Sequence, residues 1–264
     1  MKPGLFILIL TLAVVALLTT VFKLNSSTLS VPAKNNQSPS LTITPAPNIF
    51  GSEVSFLTND KSTISATIYT PTNVLPPYKS LILIHQFDSD RSDWSNFIPV
   101  LLNNGYRVLV YDNRGMGESI SAVPKEPSDK YLDSMMGDLS AAVEYIRETE
   151  GIDKEHIGVL GASIGANIAY VYAGSDQNSV SATVAISPST TKGPLQGNNI
   201  QNFHPSNIFF VTDQSDSLSS QTFFSKSSNP KSIKIYSESK AHGVELLKNT
   251  QAVGDILAWL KTNI

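Results

Sequence analysis

The chain has 264 residues, a net charge of −3 and charged side chains at 16% of its positions. This balance provides no basic surface for nucleic acid, so we expect no nucleic-acid partner. The chain contains no cysteine, which excludes disulfides, cysteine-ligated zinc, a cysteine nucleophile and lipid attachment through an N-terminal cysteine. Its length suits one α/β domain with a substantial core.

The N-terminus is strongly apolar. The stretch from Gly4 to Phe22 carries no charge and is followed by Lys23. A helix of this length reaches about 28 Å, close to the hydrocarbon thickness of a bilayer. A cleaved signal peptide usually has a shorter apolar segment and an Ala-x-Ala site, and this sequence has no Ala-x-Ala. We therefore predict that 1–23 is an uncleaved membrane anchor, with a removed signal peptide as the alternative.

The sequence after the anchor divides into a tether and a domain. Residues 24–48 are rich in Ser, Thr, Asn and Pro without a sustained apolar period, which indicates an extended linker. The folded domain is predicted over 49–264. Because the short N-terminal side of an anchor is expected to stay cytoplasmic, we expect this domain on the outer side of the membrane. If the N-terminal segment is cleaved, the domain is secreted.

Beyond 49, apolar β-branched runs alternate with amphipathic stretches, as in sheets assembled from βα units. The first two runs are joined by a turn that has no room for a crossover helix, which predicts an antiparallel hairpin. Later runs are continuously apolar, as in parallel strands buried on both faces. Strands are predicted at 52–58, 62–70, 80–86, 107–112, 156–162, 181–187, 207–212 and 232–238. Helices are predicted at 92–103, 131–149, 164–174, 217–225 and 244–262.

The fold class is therefore predicted as α/β, with a mostly parallel eight-stranded sheet, helices on both faces and an antiparallel N-terminal edge. Ligands of such sheets bind beyond the carboxyl ends of the strands. The chemistry should therefore lie in the loops that follow the strands.

One of these loops carries a candidate nucleophile. The pentapeptide Gly161-Ala162-Ser163-Ile164-Gly165 stands between an apolar strand-like run and a helix-like stretch. A serine flanked by glycines at this junction is the pattern of a nucleophile elbow, in which a tight turn lifts the hydroxyl clear of the sheet. Glycine and serine also form ordinary turns, so Ser163 needs a base and an acid nearby.

The position of each histidine in the predicted sheet selects the base. His156 and His204 precede strands, which places them at the opposite end of the sheet from the elbow. His242 follows the last strand and precedes the last helix, on the same edge as Ser163. We predict His242 as the base, and its alternative role is an exposed helix cap. The loop after the seventh strand offers Asp213 and Asp216 as the acid, both on the correct edge.

These residues, in this order, resemble the α/β-hydrolase superfamily, which places its catalytic residues in the chain order serine, acid, histidine. The resemblance covers roughly 50–264. It includes Asp112-Asn113-Arg114-Gly115-Met116-Gly117-Glu118-Ser119, which is similar to the family motif D-x-R-G-x-G-x-S. The resemblance implies that Asp216 is the acid and that Asp213 stands where the family commonly has glycine. The aspartate that is not the acid is expected to form an Asx-turn or a helix N-cap.

The resemblance also implies an oxyanion hole formed by two backbone N–H groups, those of Ile164 and Phe87. Phe87 lies in His85-Gln86-Phe87-Asp88, where Gln86 replaces the glycine of the family's His-Gly-x motif. Gln86 is also a possible residue of the substrate pocket, and His85 is expected to hydrogen-bond within the loop.

Three further residues are expected to have structural roles. The Gly115-x-Gly117 segment lacks the third glycine of a nucleotide-binding motif, so Arg114 is expected to be a structural ion-pair or hydrogen-bond donor. Asp138 is expected on a solvated helix face, and Trp94 is expected to pack in the core.

The segment between the sixth and seventh strands is too short for a large cap domain. The chain therefore resembles the uncapped dienelactone-hydrolase-like and acyl-esterase-like branches of the family. The implied function is a serine hydrolase that cleaves a small-molecule carboxylic ester without cofactor or metal. A serine aminopeptidase-like peptidase and an acyltransferase are the enzymatic alternatives. A membrane-tethered binding protein that retains the fold is the alternative without activity.

Overall fold

The computed structural model describes residues 50–123, 134–175, 180–191, 197–237 and 240–264, all within one compact unit. The predicted anchor 1–23 and tether 24–48 lie outside these ranges, so the division into anchor, tether and domain stays a prediction. Within the described ranges, no helix is both long enough and apolar enough to cross a bilayer.

The core of the domain is one eight-stranded sheet with the order β1-β2-β4-β3-β5-β6-β7-β8. β1 is antiparallel to β2, β2 is antiparallel to β4, and all other neighbours are parallel. The predicted sheet, mostly parallel with an antiparallel N-terminal edge, is confirmed. The strands are β1 (Ser52–Leu57), β2 (Thr63–Tyr69), β3 (Tyr78–Ile84), β4 (Arg107–Tyr111), β5 (Ile152–Ala162), β6 (Ala182–Ile186), β7 (Ile208–Asp213) and β8 (Lys231–Tyr236).

Helices cover both faces of the sheet. The described α-helices are α1 (Ile98–Asn103), α2 (Met136–Glu148), α3 (Ile164–Ala173), α4 (Ser217–Lys226) and α5 (Thr250–Asn263). Short 3₁₀ helices lie at Arg91–Trp94, Gly197–Asn202, Gln214–Asp216 and Gly243–Lys248.

Two predicted helices are each divided by local chain chemistry. In the predicted helix 92–103, a 3₁₀ turn ends at Trp94 and α1 begins again at Ile98, next to Pro99, because proline lacks the N–H that a helix interior needs but suits a first turn. In the predicted helix 244–262, α5 restarts at Thr250. The side chain of Asn249 accepts hydrogen bonds from the amides of Gln251 and Ala252, which caps the new helix.

The third strand shows why the continuously apolar runs form a sheet buried on both faces. Leu81 and Leu83 pack with α1 and α5 on one face, and Ile82 and Ile84 pack with α2 and α3 on the other. Successive side chains of a strand point to opposite faces, so four consecutive apolar residues contribute two to each layer. All four side chains are fully buried.

The parallel strands all end at one edge of the sheet, which we call the carboxyl edge. Of residues 187–207 between β6 and β7, the described part forms a loop and the short 3₁₀ helix Gly197–Asn202. No large cap therefore covers the sheet within the described residues. The loops after β3, β5, β7 and β8 meet at this carboxyl edge.

Candidate active site

Ser163 lies on a strained turn between β5 and α3. Its backbone has φ +53° and ψ −113°, a conformation that residues other than glycine rarely adopt. A β-carbon at Gly161 would overlap the carbonyl of Gly165, and one at Gly165 would overlap the carbonyl of Ile84. The amide of Ser163 donates to the carbonyl of Ile186 at 2.8 Å. Backbone contacts on both sides thus allow only glycine at these two positions and hold the serine on the turn.

The structure brings Ser163, His242 and Asp216 together. Nε2 of His242 lies 2.8 Å from Oγ of Ser163, and Nδ1 of His242 lies 2.6 Å from Oδ2 of Asp216. An ionised carboxylate can only accept, so Nδ1–H donates to Asp216 and Nε2 is left to accept the hydroxyl proton of Ser163. This is the geometry of an activated serine.

Asp216 contacts His242, whereas Asp213 has a different task. Asp213 is buried, and its Oδ1 accepts hydrogen bonds from the amide of Ser215 at 3.0 Å and from its hydroxyl at 2.9 Å. This is the Asx-type cap expected for the aspartate that does not contact the histidine. Asp216 ends the 3₁₀ helix Gln214–Asp216, which places its carboxylate above the carboxyl edge.

Two backbone N–H groups in the segments that follow β3 and β5 are free to donate. Among the hydrogen bonds of the described residues, neither the N–H of Phe87 nor that of Ile164 has an acceptor. Ile164 is the first residue of α3, whose early N–H groups have no partner within the helix. Phe87 follows β3, and its side chain is half exposed. Both amides are available to a developing oxyanion, the role that the sequence predicts for them.

His85 holds the loop that carries Phe87. Its ring is fully buried, and Nε2 accepts from the amide of Asn113 at 2.9 Å. Nδ1 therefore carries the proton and donates to the carbonyl oxygen of Gln86 at 2.7 Å. Burial lowers the pKa of His85, which keeps the imidazole neutral in this arrangement. His85 thus links the loop after β3 to the loop after β4.

The Gln86 side chain occupies a space that Gly243 leaves open. Oε1 of Gln86 is buried without a hydrogen-bond partner and would overlap a β-carbon at Gly243. Gly243 directly follows His242 and has φ +57°. The backbone N–H of Gln86 donates to Oδ2 of Asp93 at 3.3 Å. The side chain of Gln86 thus connects its own loop, His85 to Asp88, which we call the oxyanion loop, to the loop after β8 that carries His242, which we call the histidine loop.

The expectation that Asp138 lies on a solvated helix face is wrong. Its side chain is fully buried and accepts three hydrogen bonds from Arg114: from the amide and Nε at 2.9 Å, and from Nη2 at 2.7 Å. Nη1 of Arg114 also donates to Asp60 at 2.5 Å. Asp138 stands four residues before Ala142, which is buried, so the helical period places it on the core side of α2. Arg114 has the structural role that the sequence indicates.

The remaining candidates lie away from the site. Trp94 is fully buried in the core, as expected. His156 is half exposed in the first half of β5, where Nδ1 lies 2.8 Å from Oδ2 of Asp153. His204 contacts the carbonyl of Lys226. Sequence reasoning did not identify Asn113 and Asp93, because their contacts with the oxyanion loop join segments that no local motif connects. Within the described ranges, no three His, Asp or Glu side chains are grouped as a metal site would need.

Comparisons with known proteins agree with this architecture. A putative non-heme chloroperoxidase from Synechocystis is 32% identical over 111 residues, which is 42% of this chain and 36% of that protein. The thiohydrolase aneE from Aspergillus aculeatus is 32% identical over 115 residues, 42% of this chain and 34% of that protein. The chain thus matches about a third of the length of these relatives.

Solved structures extend the likeness to most of the domain. The alpha/beta hydrolase GrgF from Penicillium superposes with a TM-score of 0.66 at 17% identity, covering 81% of this chain and 99% of that one. An esterase from Pyrococcus furiosus gives 0.62 at 18% identity, covering 81% and 93%. An acetyl xylan esterase from Paenibacillus gives 0.67 at 14% identity, covering 85% and 87%. At these identities the likeness shows a shared fold.

The model of one protein family matches this chain directly. Its description is alpha/beta hydrolase fold, and it aligns with residues 79–231, from β3 to the start of β8. The matched stretch is more than half of the sequence and contains Ser163 and Asp216. The chain therefore belongs to the alpha/beta hydrolase fold family.

Proposed function

We propose that this protein is a serine hydrolase that cleaves a carboxylic ester through an acyl-enzyme. The observation that carries the proposal is the continuous hydrogen-bonded series from Ser163 through His242 to Asp216. A serine hydroxyl is a weak nucleophile at neutral pH and needs both an adjacent base and an acid that orients that base. The His242 side chain is 47% exposed, so a substrate can reach the reacting atoms from solvent.

In the proposed first step, Oγ of Ser163 attacks the carbonyl carbon of the ester while Nε2 of His242 takes the hydroxyl proton. The negative charge that develops on the carbonyl oxygen is stabilised by the free N–H groups of Phe87 and Ile164. Asp216 accepts from Nδ1–H and stabilises the imidazolium. His242 then protonates the leaving alcohol, the ester C–O bond breaks and Ser163 is acylated.

The second step returns the enzyme to its starting state. Water gives a proton to Nε2 of His242 and attacks the acyl carbon, and the same two amides hold the oxyanion. Collapse of the intermediate breaks the bond to Ser163, whose oxygen recovers the proton from His242. Neither step, as proposed, uses a cofactor or a metal.

The choice of an ester as the substrate rests on the chemistry of the serine site and on the names of similar proteins. Two of the similar structures are esterases and one relative is a thiohydrolase. The peptidase and acyltransferase alternatives use the same acyl-enzyme. A panel of p-nitrophenyl esters of graded chain length beside aminoacyl anilides separates them. Cleavage of the anilides without the esters would favour a peptidase, and extra product with an added alcohol or amine would favour a transferase.

We also propose that 1–23 anchors the chain and that the domain lies outside the membrane. This location is supported by the uncharged stretch from Gly4 to Phe22. When intact cells are treated with protease, a domain on the outer side is degraded while the cytoplasmic proteins survive. A domain that is protected until the cells are lysed contradicts this location.

A fluorophosphonate probe tests the enzyme directly. We expect the probe to label the wild-type chain, and we expect Ser163→Ala to abolish labelling because no other hydroxyl in the described residues has a histidine partner. Ser95→Ala, which removes an exposed hydroxyl bonded to Ser92, is the matched control and should label normally. A folded wild type that remains unlabelled would favour the binding-protein alternative.

The two aspartates allow a sharper test. Asp216→Asn should lower kcat by about 10³ to 10⁴, because the amide no longer holds the required histidine tautomer. Asp213→Asn should leave kcat near that of the wild type and change stability little, because the side-chain oxygen of asparagine caps a helix about as well as that of aspartate. Steady-state kinetics and denaturant unfolding of both variants measure the difference. The reverse ranking would assign the acid to Asp213.

A further inference from the structure

The edge of the sheet opposite the candidate site carries an exposed groove of about 440 Å³ with apolar and polar lining residues. We call it the amino-edge groove and define it by Val74, Leu75, Tyr106, Leu257, Lys79 and Lys261. Leu75 is 86% exposed, more than any other large apolar side chain within the described ranges. The groove lining includes two lysines and no carboxylate side chain. A partly apolar surface with lysine at its rim suits the interface of an anionic bilayer.

The strand register places the start of the domain at this same edge. Ser52 of β1 pairs with Ile68 of β2, and the next residue of β2, Tyr69, pairs with Val108, the second residue of β4. The chain therefore enters β1 at the edge where the parallel strands begin. The loop with Val74 and Leu75 leads into the start of β3 at this edge, and Tyr106 leads into β4. The groove and the entry of the chain thus share one side of the domain.

The sequence before this entry point favours a lipid surface over other occupants. Residues 4–22 are apolar and uncharged, and 24–48 read as a flexible tether. A flexible linker of that length has an average reach of about 28 Å, so the domain remains near the bilayer. Tethering raises the effective concentration to the millimolar range, so even a weak lipid-binding surface would be occupied.

We propose that the amino-edge groove rests on the bilayer that holds the N-terminal segment, so that the candidate active site faces away from the membrane. Leu75 and Val74 enter the interface, and Lys261 faces anionic headgroups. Lys79 is already bonded to the main-chain oxygen of Ile264 at 2.5 Å. This inference rests on the membrane location proposed above. It also implies from which side substrates reach the site, because the strands separate the site from the groove by about 20 Å. Substrates then arrive from the aqueous side rather than from the same bilayer.

The absence of cysteine makes the orientation directly measurable. Two separate variants each carry one fluorescent label. Leu75→Cys places it on the groove and Leu218→Cys places it beside Asp216, and the two leucines are 86% and 80% exposed. The full chain is reconstituted in equal parts of phosphatidylcholine and phosphatidylglycerol, with and without brominated acyl chains. Emission from position 75 should fall by roughly half, as for a side chain inserted about 5–10 Å into the interface. Emission from position 218 should not change.

Each other result contradicts a specific part of the proposed membrane orientation. Quenching at position 218 alone means that the site faces the lipid. Quenching at neither position in a chain that sediments with the vesicles contradicts the orientation and leaves the anchor intact. A chain that stays in the supernatant contradicts the location and the orientation together. A label at position 75 that is shielded without any bilayer points to a second copy on the groove. Fluorophosphonate labelling of the same samples tests the serine hydrolase proposal independently of these results.

The role of the Lys261 charge can be tested with a matched pair of lysine variants. Lys261→Glu, with the label at position 75, should reduce quenching because the reversed charge repels phosphatidylglycerol. Lys248→Glu reverses another exposed charge, near the opposite end of α5, and should leave quenching unchanged. Thr72→Cys, in the same exposed loop, is a second reporter in case the first variant folds poorly. Equal quenching in both lysine variants would remove the electrostatic part of the proposal.

Discussion

The nucleophile elbow and the oxyanion loop lie side by side at the carboxyl edge but are held in different ways. At the elbow, backbone carbonyls leave no space for a β-carbon at Gly161 or Gly165. The oxyanion loop is held by side chains, through the ring of His85 and through Asp93, which accepts from the amide of Gln86. Steric exclusion requires glycine itself, whereas a loop fixed by side-chain hydrogen bonds can accept different residues. This difference explains why the elbow keeps the family pattern and the oxyanion loop departs from it.

The support of the oxyanion loop extends into a buried ion pair. Asn113, whose amide donates to His85, directly precedes Arg114. Arg114 and Asp138 are both fully buried, and Arg114 also reaches Asp60 in the turn between β1 and β2. The loop after β4 is thereby tied to α2 and to the N-terminal hairpin. The predictions below test whether this side-chain support and the steric support of the elbow behave as differently as the geometry indicates.

The largest effect is expected from Arg114→Met. The variant leaves the Asp138 carboxylate buried without its cation, which should lower the free energy of unfolding by about 3–5 kcal/mol. Denaturant unfolding at neutral pH measures the loss. Replacing both partners, as Arg114→Met with Asp138→Leu, should recover most of it, because an apolar pair of similar volume leaves no buried charge. Glu144→Gln, on the exposed side of α2, is the control and should stay within about 0.5 kcal/mol of wild type.

The same variant should also change the pH dependence of stability. Burial raises the pKa of Asp138 to about 6, against the hydrogen bonds of Arg114 that lower it. Because the folded pKa exceeds the unfolded value, this group makes stability fall as pH rises from about 4 to about 6. Without Arg114 the folded pKa rises further and the fall continues to higher pH, at up to about 1.4 kcal/mol per unit. The deficit of Arg114→Met against wild type should therefore be smaller at about pH 5 than at about pH 8. An equal deficit at both would mean that Asp138 does not titrate in this range.

A smaller loss is expected at the elbow. Gly165→Ala places a β-carbon against the carbonyls of Ile84 and His85, which are backbone atoms that cannot move alone. We expect a loss of about 2–3 kcal/mol in the free energy of unfolding, together with a fall in kcat as the turn shifts Ser163. Gly254→Ala is the matched control, because Gly254 lies in α5 and no atom beyond its chain neighbours and its own helix backbone lies within 4 Å of its β-carbon position. It should stabilise the protein by about 0.5–1 kcal/mol. Similar effects at the two glycines would contradict a steric role for Gly165.

The difference between the two loops also sets how far the sequence could predict this molecule. The sheet, its antiparallel edge and the elbow follow from apolar period and glycine spacing, which are local signals. The hydrogen bond between His85 and Asn113 and the burial of Asp138 could not be derived in the same way, because each depends on a contact between segments distant in sequence. A carboxylate in a helical sequence is expected to face solvent unless a cationic partner in the core is known. The position of Asp138 on the core side of the helical period was the available signal.

The smallest effect tests the fit between Gln86 and Gly243. Gly243→Ala introduces a β-carbon at φ +57° that overlaps Oε1 of Gln86, so this single variant should lose stability and kcat. Gln86→Ala removes the overlap but leaves the backbone strain at position 243. We therefore expect the double variant to be about 1 kcal/mol more stable than the sum of the two single losses predicts.

Unfolding free energies and kinetics of all four proteins give the coupling. The split between kcat and KM then separates packing from positioning. If Gln86 sets the distance between the oxyanion loop and His242, Gln86→Ala lowers kcat at an unchanged KM, because the approach of the oxyanion donors matters only as charge develops. If the side chain instead lines the substrate pocket, KM changes and kcat does not. Additive losses in the four-protein cycle would show that Gln86 and Gly243 act independently, and the oxyanion loop would then tolerate its glutamine without compensation from the histidine loop.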